Sequence, residues 1–211
     1  MSELYIKAEK AKKASQTLGI QSTDMKNKAL HLVAEQLLQQ TDNLLTENAK
    51  DIAKGKEARI SQALLDRLLL TEKRINEMAE GLKQIIELPD PVGEMIESWE
   101  RPNGLTIQKV RVPLGLIGMI YEARPNVTID AAGLALKTGN AIILRGSASA
   151  IHSNKALVKV IQDALAQTEI SVDAVQLIED PNRHTVEAML KLNEYLDVVI
   201  PRGGASFIQY V

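Results

Sequence analysis

The 211 residues are 45% apolar, enough to bury a core of ordinary size in one large or two small domains. The 25 basic and 27 acidic side chains nearly cancel, so no overall field recruits nucleic acid or an anionic membrane, and 3% aromatics are too few for the stacking platforms of single-strand binders. Cysteine is absent, which excludes disulfides, thiolate metal sites and a cysteine nucleophile within these residues.

The opening MSELYIKAEKAKK is charged and lacks the apolar centre of a secretory signal. No apolar run reaches the roughly 18 residues of a membrane span, and cytoplasm is the default expectation. From Ser2 to Leu88 the pattern predicts successive helices, with Ser22, Thr41, Ser61 and Thr71 as N-caps and Gly19, Gly55 and Pro89 as stops. In the second helix Met25, Ala29, Leu30, Val33 and Leu37 form a buried stripe, with Lys26, Glu35 and Gln36 on the opposite side. Ile75, Met78, Ala79, Leu82 and Ile86 repeat the pattern in the last. His31 reads as a packed or surface side chain.

Pro89-Asp90-Pro91 ends the helical regime. The stretch IESWERPNGLTIQKVRV, 96–112, then predicts a β-hairpin turning at Pro102-Asn103-Gly104, with Trp99 as a packing anchor on its first strand. After Pro113 come four short continuous apolar runs, LIGMIY, AIILR, VQLIE and DVVIP, the signature of strands buried on both faces. Helical stretches at 128–138, 150–167 and 185–193 separate them. The order βαβαβαβ predicts an α/β fold with a doubly wound parallel sheet. The final FIQYV resembles the first turn of a further helix, and an unfinished crossover leads to the expectation that the chain is the N-terminal part of something longer.

Ligands in such sheets bind at the carboxyl ends of strands. After the first strand stand Arg124, Pro125 and Asn126; Pro125 biases Arg124 away from helical geometry, and Asn126 or Thr128 can cap the next helix. A carboxamide fixed there could instead donate to a developing oxyanion. After the second strand, Arg145, Gly146 and Ser147 put an arginine where a dinucleotide fold that binds NAD carries an acidic residue, which favours NADP(H). After the fourth, Arg202, Gly203, Gly204 and Ser206 precede a helix start, a place for pyrophosphate to meet amide N–H groups. Each has a plainer reading as a turn or cap. His152 and His184 lack partners at metal-ligand spacing, and no metal is expected.

The stretch KVRVPLGLIGMIYEARPNVTIDAAGLALKTGNAIILRGSASAIHSNKAL, together with NAKDIAKGKEARISQALLDRLLLT, ELPDPVGE and IPRGGASFI, resembles the γ-glutamyl phosphate reductases of the aldehyde dehydrogenase superfamily. The resemblance covers essentially the whole chain. It implies NADPH-dependent reduction of L-glutamyl 5-phosphate to glutamate 5-semialdehyde in proline biosynthesis, through a cysteine thiolate expected beyond residue 211, so the chain alone would be inactive. It implies that Asn126 belongs to the oxyanion hole, that Arg145, Gly146 and Ser147 hold the adenosine ribose, and that Gly203, Gly204 and Ser206 lie near the pyrophosphate. Arg202 joins that cofactor set, and Arg124 becomes a candidate contact for a substrate anion. The implied organisation is a helical segment at 1–95 packing on the cofactor domain, a β-hairpin oligomerisation arm at 96–112 and a Rossmann-like NADP-binding domain at 113–211, incomplete at its C-terminus and without the catalytic domain. A homo-oligomer is implied, with glutamate 5-kinase as a candidate partner. The alternative is a non-catalytic relative that binds nucleotide or a partner enzyme.

Overall fold

The computed structural model describes residues 2–204 and 208. Five helices come first: α1 (Glu3–Leu18), α2 (Thr23–Gln39), α3 (Thr41–Glu57), α4 (Gln62–Leu68) and α5 (Glu72–Glu87). Ser22, Ser61 and Thr71 cap α2, α4 and α5 by accepting the backbone N–H of Met25, Leu64 and Arg74. Thr41 does not cap. It is the first residue of α3, and its hydroxyl donates back to the carbonyls of Leu37 and Leu38, because α3 follows α2 with only Gln40 between them. Nor does Gly55 stop α3, which runs on to Glu57; the reversal falls at Arg59, whose φ of 52° places it in the left-handed region.

Lys26 is the main correction in the helical half. Its side chain is 1% exposed, and Nζ lies 2.5 Å from Asp90 Oδ2. Lys137 is buried beside it, donating to Asn27 Oδ1 (2.7 Å) and the Ile86 carbonyl (2.8 Å). The Pro-Asp-Pro break thus brings a carboxylate back onto the face that periodicity assigns to solvent.

Strands β1 (Met95–Glu100) and β2 (Thr106–Val110) pair antiparallel, with Trp99 opposite Ile107. The turn closes through Gly104 N–H to the Arg101 carbonyl at 2.9 Å, and Gly104 takes a φ of 80° that other residues adopt at a cost. The arm stands clear of the core, and Trp99 is 40% exposed rather than a packing anchor. A two-stranded ribbon has no second layer of its own to bury it.

The parallel sheet contains β3 (Leu116–Tyr121), β4 (Ala141–Arg145), β5 (Val175–Leu177) and β6 (Val198–Arg202) in the order β5-β4-β3-β6. Its crossovers are α6 (Asn126–Lys137), α7 (Ile151–Leu165) and α8 (Arg183–Leu190), each shifted by one to three residues from the expected bounds. The expected third strand is also shorter, ending at Leu177. β3 and β4 are buried almost throughout, as their unbroken apolar runs require. From β3 the chain steps outward through β4 to β5, then returns past β3 to β6. With right-handed crossovers, this reversal puts α6 and α7 on one face and α8 on the other. Helix α1 shares the α8 face: Tyr5 meets Tyr195 edge-on at 6.5 Å, and Lys12 pairs with Asp197 at 2.6 Å. One apolar core runs from Leu4 and Leu30 through Ile143 to Leu196, joining the helical half to the sheet. Among the described residues β6 is an edge strand, which is where Pro201 is tolerated.

Candidate active site at the carboxyl edge of the parallel sheet

The reversal of strand order opens a crevice between the carboxyl ends of β3 and β6, the position where doubly wound sheets bind ligands. Ile120 pairs with Arg145 and Tyr121 with Arg202, so both arginines emerge at the same edge. A cavity of about 320 Å³ occupies the crevice, walled by Arg124 after β3, by Arg202, Gly203 and Gly204 at the end of β6, and by Leu64 and Arg67 from α4. A second cavity of about 480 Å³ adjoins it, lined by Arg67, Arg74, Arg124, Asn126 and Asp130.

Asn126 is the first residue of α6, and neither it nor Thr128 caps that helix. Pro125 stands at the N-cap position with helical dihedrals, which leaves the Asn126 side chain free of the cap's geometry. Asn126 Nδ2 donates to Asp130 Oδ2 at 3.0 Å, one helical turn on. Burial pushes the Asp130 carboxyl above its ordinary range, partly offset by the Asn126 hydrogen bond and by the charge of Arg202. Thr128 has another role: Tyr121 Oη lies 2.7 Å from its Oγ1, which donates to Asn154 Oδ1 at 3.1 Å in a fully buried chain. Burial raises the Tyr121 phenol well above its ordinary value, keeping it neutral.

Arg145, Gly146 and Ser147 lie at the same edge but do not line either cavity. Arg145 Nη2 donates to the carbonyls of Pro181 (2.6 Å) and Asn182 (3.3 Å) in the loop after β5. Its Nε is buried without a hydrogen-bond partner. Gly146 packs on the Asn154 amide and the Tyr121 ring so closely that a Cβ would overlap Nδ2 of Asn154. Ser147 Oγ accepts the Ser149 N–H and lies 2.8 Å from Ser149 Oγ. Gly204 N–H reaches Glu122 Oε1 at 3.3 Å. Ser206, and the helix start expected at 207–211 apart from Ile208, fall outside the described residues.

Arg67, Glu122 and Asp130 also line these cavities, and no motif in the sequence points to them as a group. Asp130 carries a usable signal, its four-residue spacing from Asn126. Arg67 carries none, because nothing local to LLDRLLL says that α4 folds across the end of β3. His152 and His184 do have acidic neighbours, Glu47 at 3.8 Å and Asp180 at 3.4 Å, but no three His, Asp or Glu side chains converge on a metal-sized site among the described residues.

The model of the aldehyde dehydrogenase family matches residues 5–209. The chain belongs to the aldehyde dehydrogenase family. A γ-glutamyl phosphate reductase of Anoxybacillus flavithermus is 58% identical over all 211 residues, which make up 51% of that protein. The crystal structure of γ-glutamyl phosphate reductase from Thermotoga maritima superposes with a TM-score of 0.98 at 47% identity, over 99% of this chain and 50% of that one. Its counterpart from Saccharomyces cerevisiae gives 0.90 at 31%, over 100% and 53%. This aldehyde dehydrogenase family chain therefore spans about half the length of the relatives it matches.

Proposed function

We propose that the chain contributes the cofactor-binding and oxyanion-stabilising parts of a γ-glutamyl phosphate reductase, which converts L-glutamyl 5-phosphate, NADPH and a proton to glutamate 5-semialdehyde, phosphate and NADP⁺. The observation that carries this reading is the 58% identity to a reductase of that name along the entire chain. In this reading the nucleophilic thiolate comes from outside the 211 residues, which contain no cysteine.

The residues present fit a phosphorylated dinucleotide. Arg145 is oriented by two carbonyls yet keeps its buried Nε unsatisfied, so donor capacity remains at the strand end. Arg145, Gly146 and Ser147 would hold the ribose and its 2′-phosphate; Arg202, Gly203, Gly204 and Ser206 would lie along the pyrophosphate. The bound cofactor supplies hydride. Asn126 keeps one amide hydrogen beyond the one given to Asp130, and in this reading it donates to the carbonyl oxygen as negative charge develops there. A cytoplasmic homo-oligomer docking through the arm, with glutamate 5-kinase as a neighbour in the pathway, completes the proposal.

Arg145→Asp, placed in a reductase that contains this chain, tests the cofactor assignment. The KM for NADPH should rise at least about tenfold while that for NADH changes little, since only NADPH carries the 2′-phosphate. Equal effects on both would remove Arg145 from the site. A second reading, a non-catalytic nucleotide-binding relative, draws on the absence of cysteine. Reductase turnover by a polypeptide joining this chain to a cysteine-bearing second half would discard it.

A further inference from the structure

We propose that Arg67 and Arg124 together form a receptor for a phosphate group in the cavity between α4 and the carboxyl ends of β3 and β6. The identity of its biological ligand, the acyl phosphate or the phosphate released from it, rests on the reductase reading; the site itself does not.

Three arginines, Arg67, Arg124 and Arg202, line this cavity with one acidic residue, Glu122. Glu122 already accepts the Gly204 N–H, and Arg202 lies within the field of Asp130. Among the described residues the side chains of Arg67 and Arg124 have no hydrogen bond and no ion pair. Arg74, one helix on, shows the contrast: it is tied to Asp66 Oδ1 at 3.0 Å and to the Leu69 carbonyl at 2.7 Å. Two like charges with ten unspent N–H donors on the wall of one cavity repel each other, and an anion between them removes that cost.

Both arginines are held by the backbone that carries them. Asn48, buried in α3, donates to the Leu68 carbonyl and accepts the Leu70 N–H, each at 2.8 Å, which fixes the end of α4 immediately after Arg67. The same Nδ2 reaches Ser153 Oγ on α7 at 2.9 Å, registering α4 against the sheet layer. On the other side Arg124 N–H donates to the Glu122 carbonyl at 2.8 Å, and Pro125 restricts its ψ. Planar guanidinium forks suit a tetrahedral oxyanion, and two of them match a phosphate dianion better than they match a single carboxylate.

A phosphate at this edge could come from the acyl-phosphate substrate or from the cofactor's pyrophosphate, so the test separates them. Inorganic phosphate is titrated into the chain by calorimetry, with wild type, Arg67→Gln, Arg67→Lys, Arg124→Gln and, as a control for lost charge alone, Arg101→Gln on the turn of the arm. Arg67→Gln and Arg124→Gln should weaken phosphate binding by roughly ten- to hundredfold, the loss that charge-assisted hydrogen bonds bring. Arg67→Lys should lose less, and Arg101→Gln should match wild type. Wild-type affinity in Arg67→Gln, no phosphate binding in wild type, or displacement of phosphate by saturating NADP⁺ would each overturn the receptor. If phosphate binds as stated but Arg67→Gln leaves the KM for the acyl phosphate unchanged in a reductase containing this chain, the receptor stands and the reductase assignment of its ligand fails.

Discussion

Asn126 and Asp130 act as one unit on a single helical face, since the carboxylate takes one hydrogen of the carboxamide and thereby sets its plane. Asn126→Ala in a reductase containing this chain should lower kcat by about 10²- to 10³-fold with the KM for NADPH unaltered, the pattern of an interaction made in the transition state. Unchanged turnover would end the oxyanion role. At Asp90 burial alone would raise the carboxyl, but hydrogen bonds from Lys26, Thr23 and the Val92 N–H outweigh it, and the group titrates below its ordinary 3.8. A depressed acid stabilises the fold above that value and loses its contribution as pH falls through the native one. Asp90→Asn should therefore unfold more easily at pH 7, with the deficit shrinking below about pH 4 in urea melts. Lys26→Met should also destabilise, by about 1–2 kcal/mol in the same melts, because it takes the charged partner from a half-buried carboxylate and leaves it only the Thr23 hydroxyl and the Val92 N–H. None of this is legible locally. A lysine at a polar position of the helical repeat reads as solvated until a carboxylate from a distant loop is placed over it.

At the scale of elements, β3 and β4 announce themselves because a strand buried on both faces must be apolar at every position, and no helix of that length interrupts the run. The hairpin was equally readable from Pro-Asn-Gly. Helix ends were less so. Thr41 fits the composition of a cap, but with only Gln40 between α2 and α3 its hydroxyl returns to the preceding helix. Asn126 fits it too, but Pro125 takes that position. The loop after β4 holds its place by contact. Gly146→Ala would press a methyl into Asn154 and the Tyr121 ring, and should lower stability by about 1–3 kcal/mol in thermal unfolding with the cofactor absent. Gly115→Ala should also destabilise, since its φ of 120° strains any side chain and its Cβ would meet the Asp197 carboxylate that accepts the Leu116 N–H.

In the whole molecule, strand spacing announces a doubly wound sheet, and the resemblance implies that the helical segment packs on it, but which faces of α1 and α2 join its core is not readable, because no single segment records which faces meet. The arm is the counterpart: its Met95, Ile96, Trp99 and Val110 are each at least 40% exposed, more apolar surface than a lone ribbon should carry. If it docks copies of this chain onto one another, Ile96→Ser with Trp99→Ser should lower the mass seen by sedimentation equilibrium without altering helix content. An unchanged mass would assign the arm elsewhere.

Asp51 reaches across from α3 to receive the N–H of His152 and of Ser153, and the Ser153 hydroxyl, at the mouth of α7. That helix opening, elsewhere a natural seat for negatively charged guests, is thus occupied by the protein's own carboxylate. The first amide donors of the second crossover are therefore spent inside the fold, and a single buried acid moors that helix to the third one, across about a hundred residues of sequence.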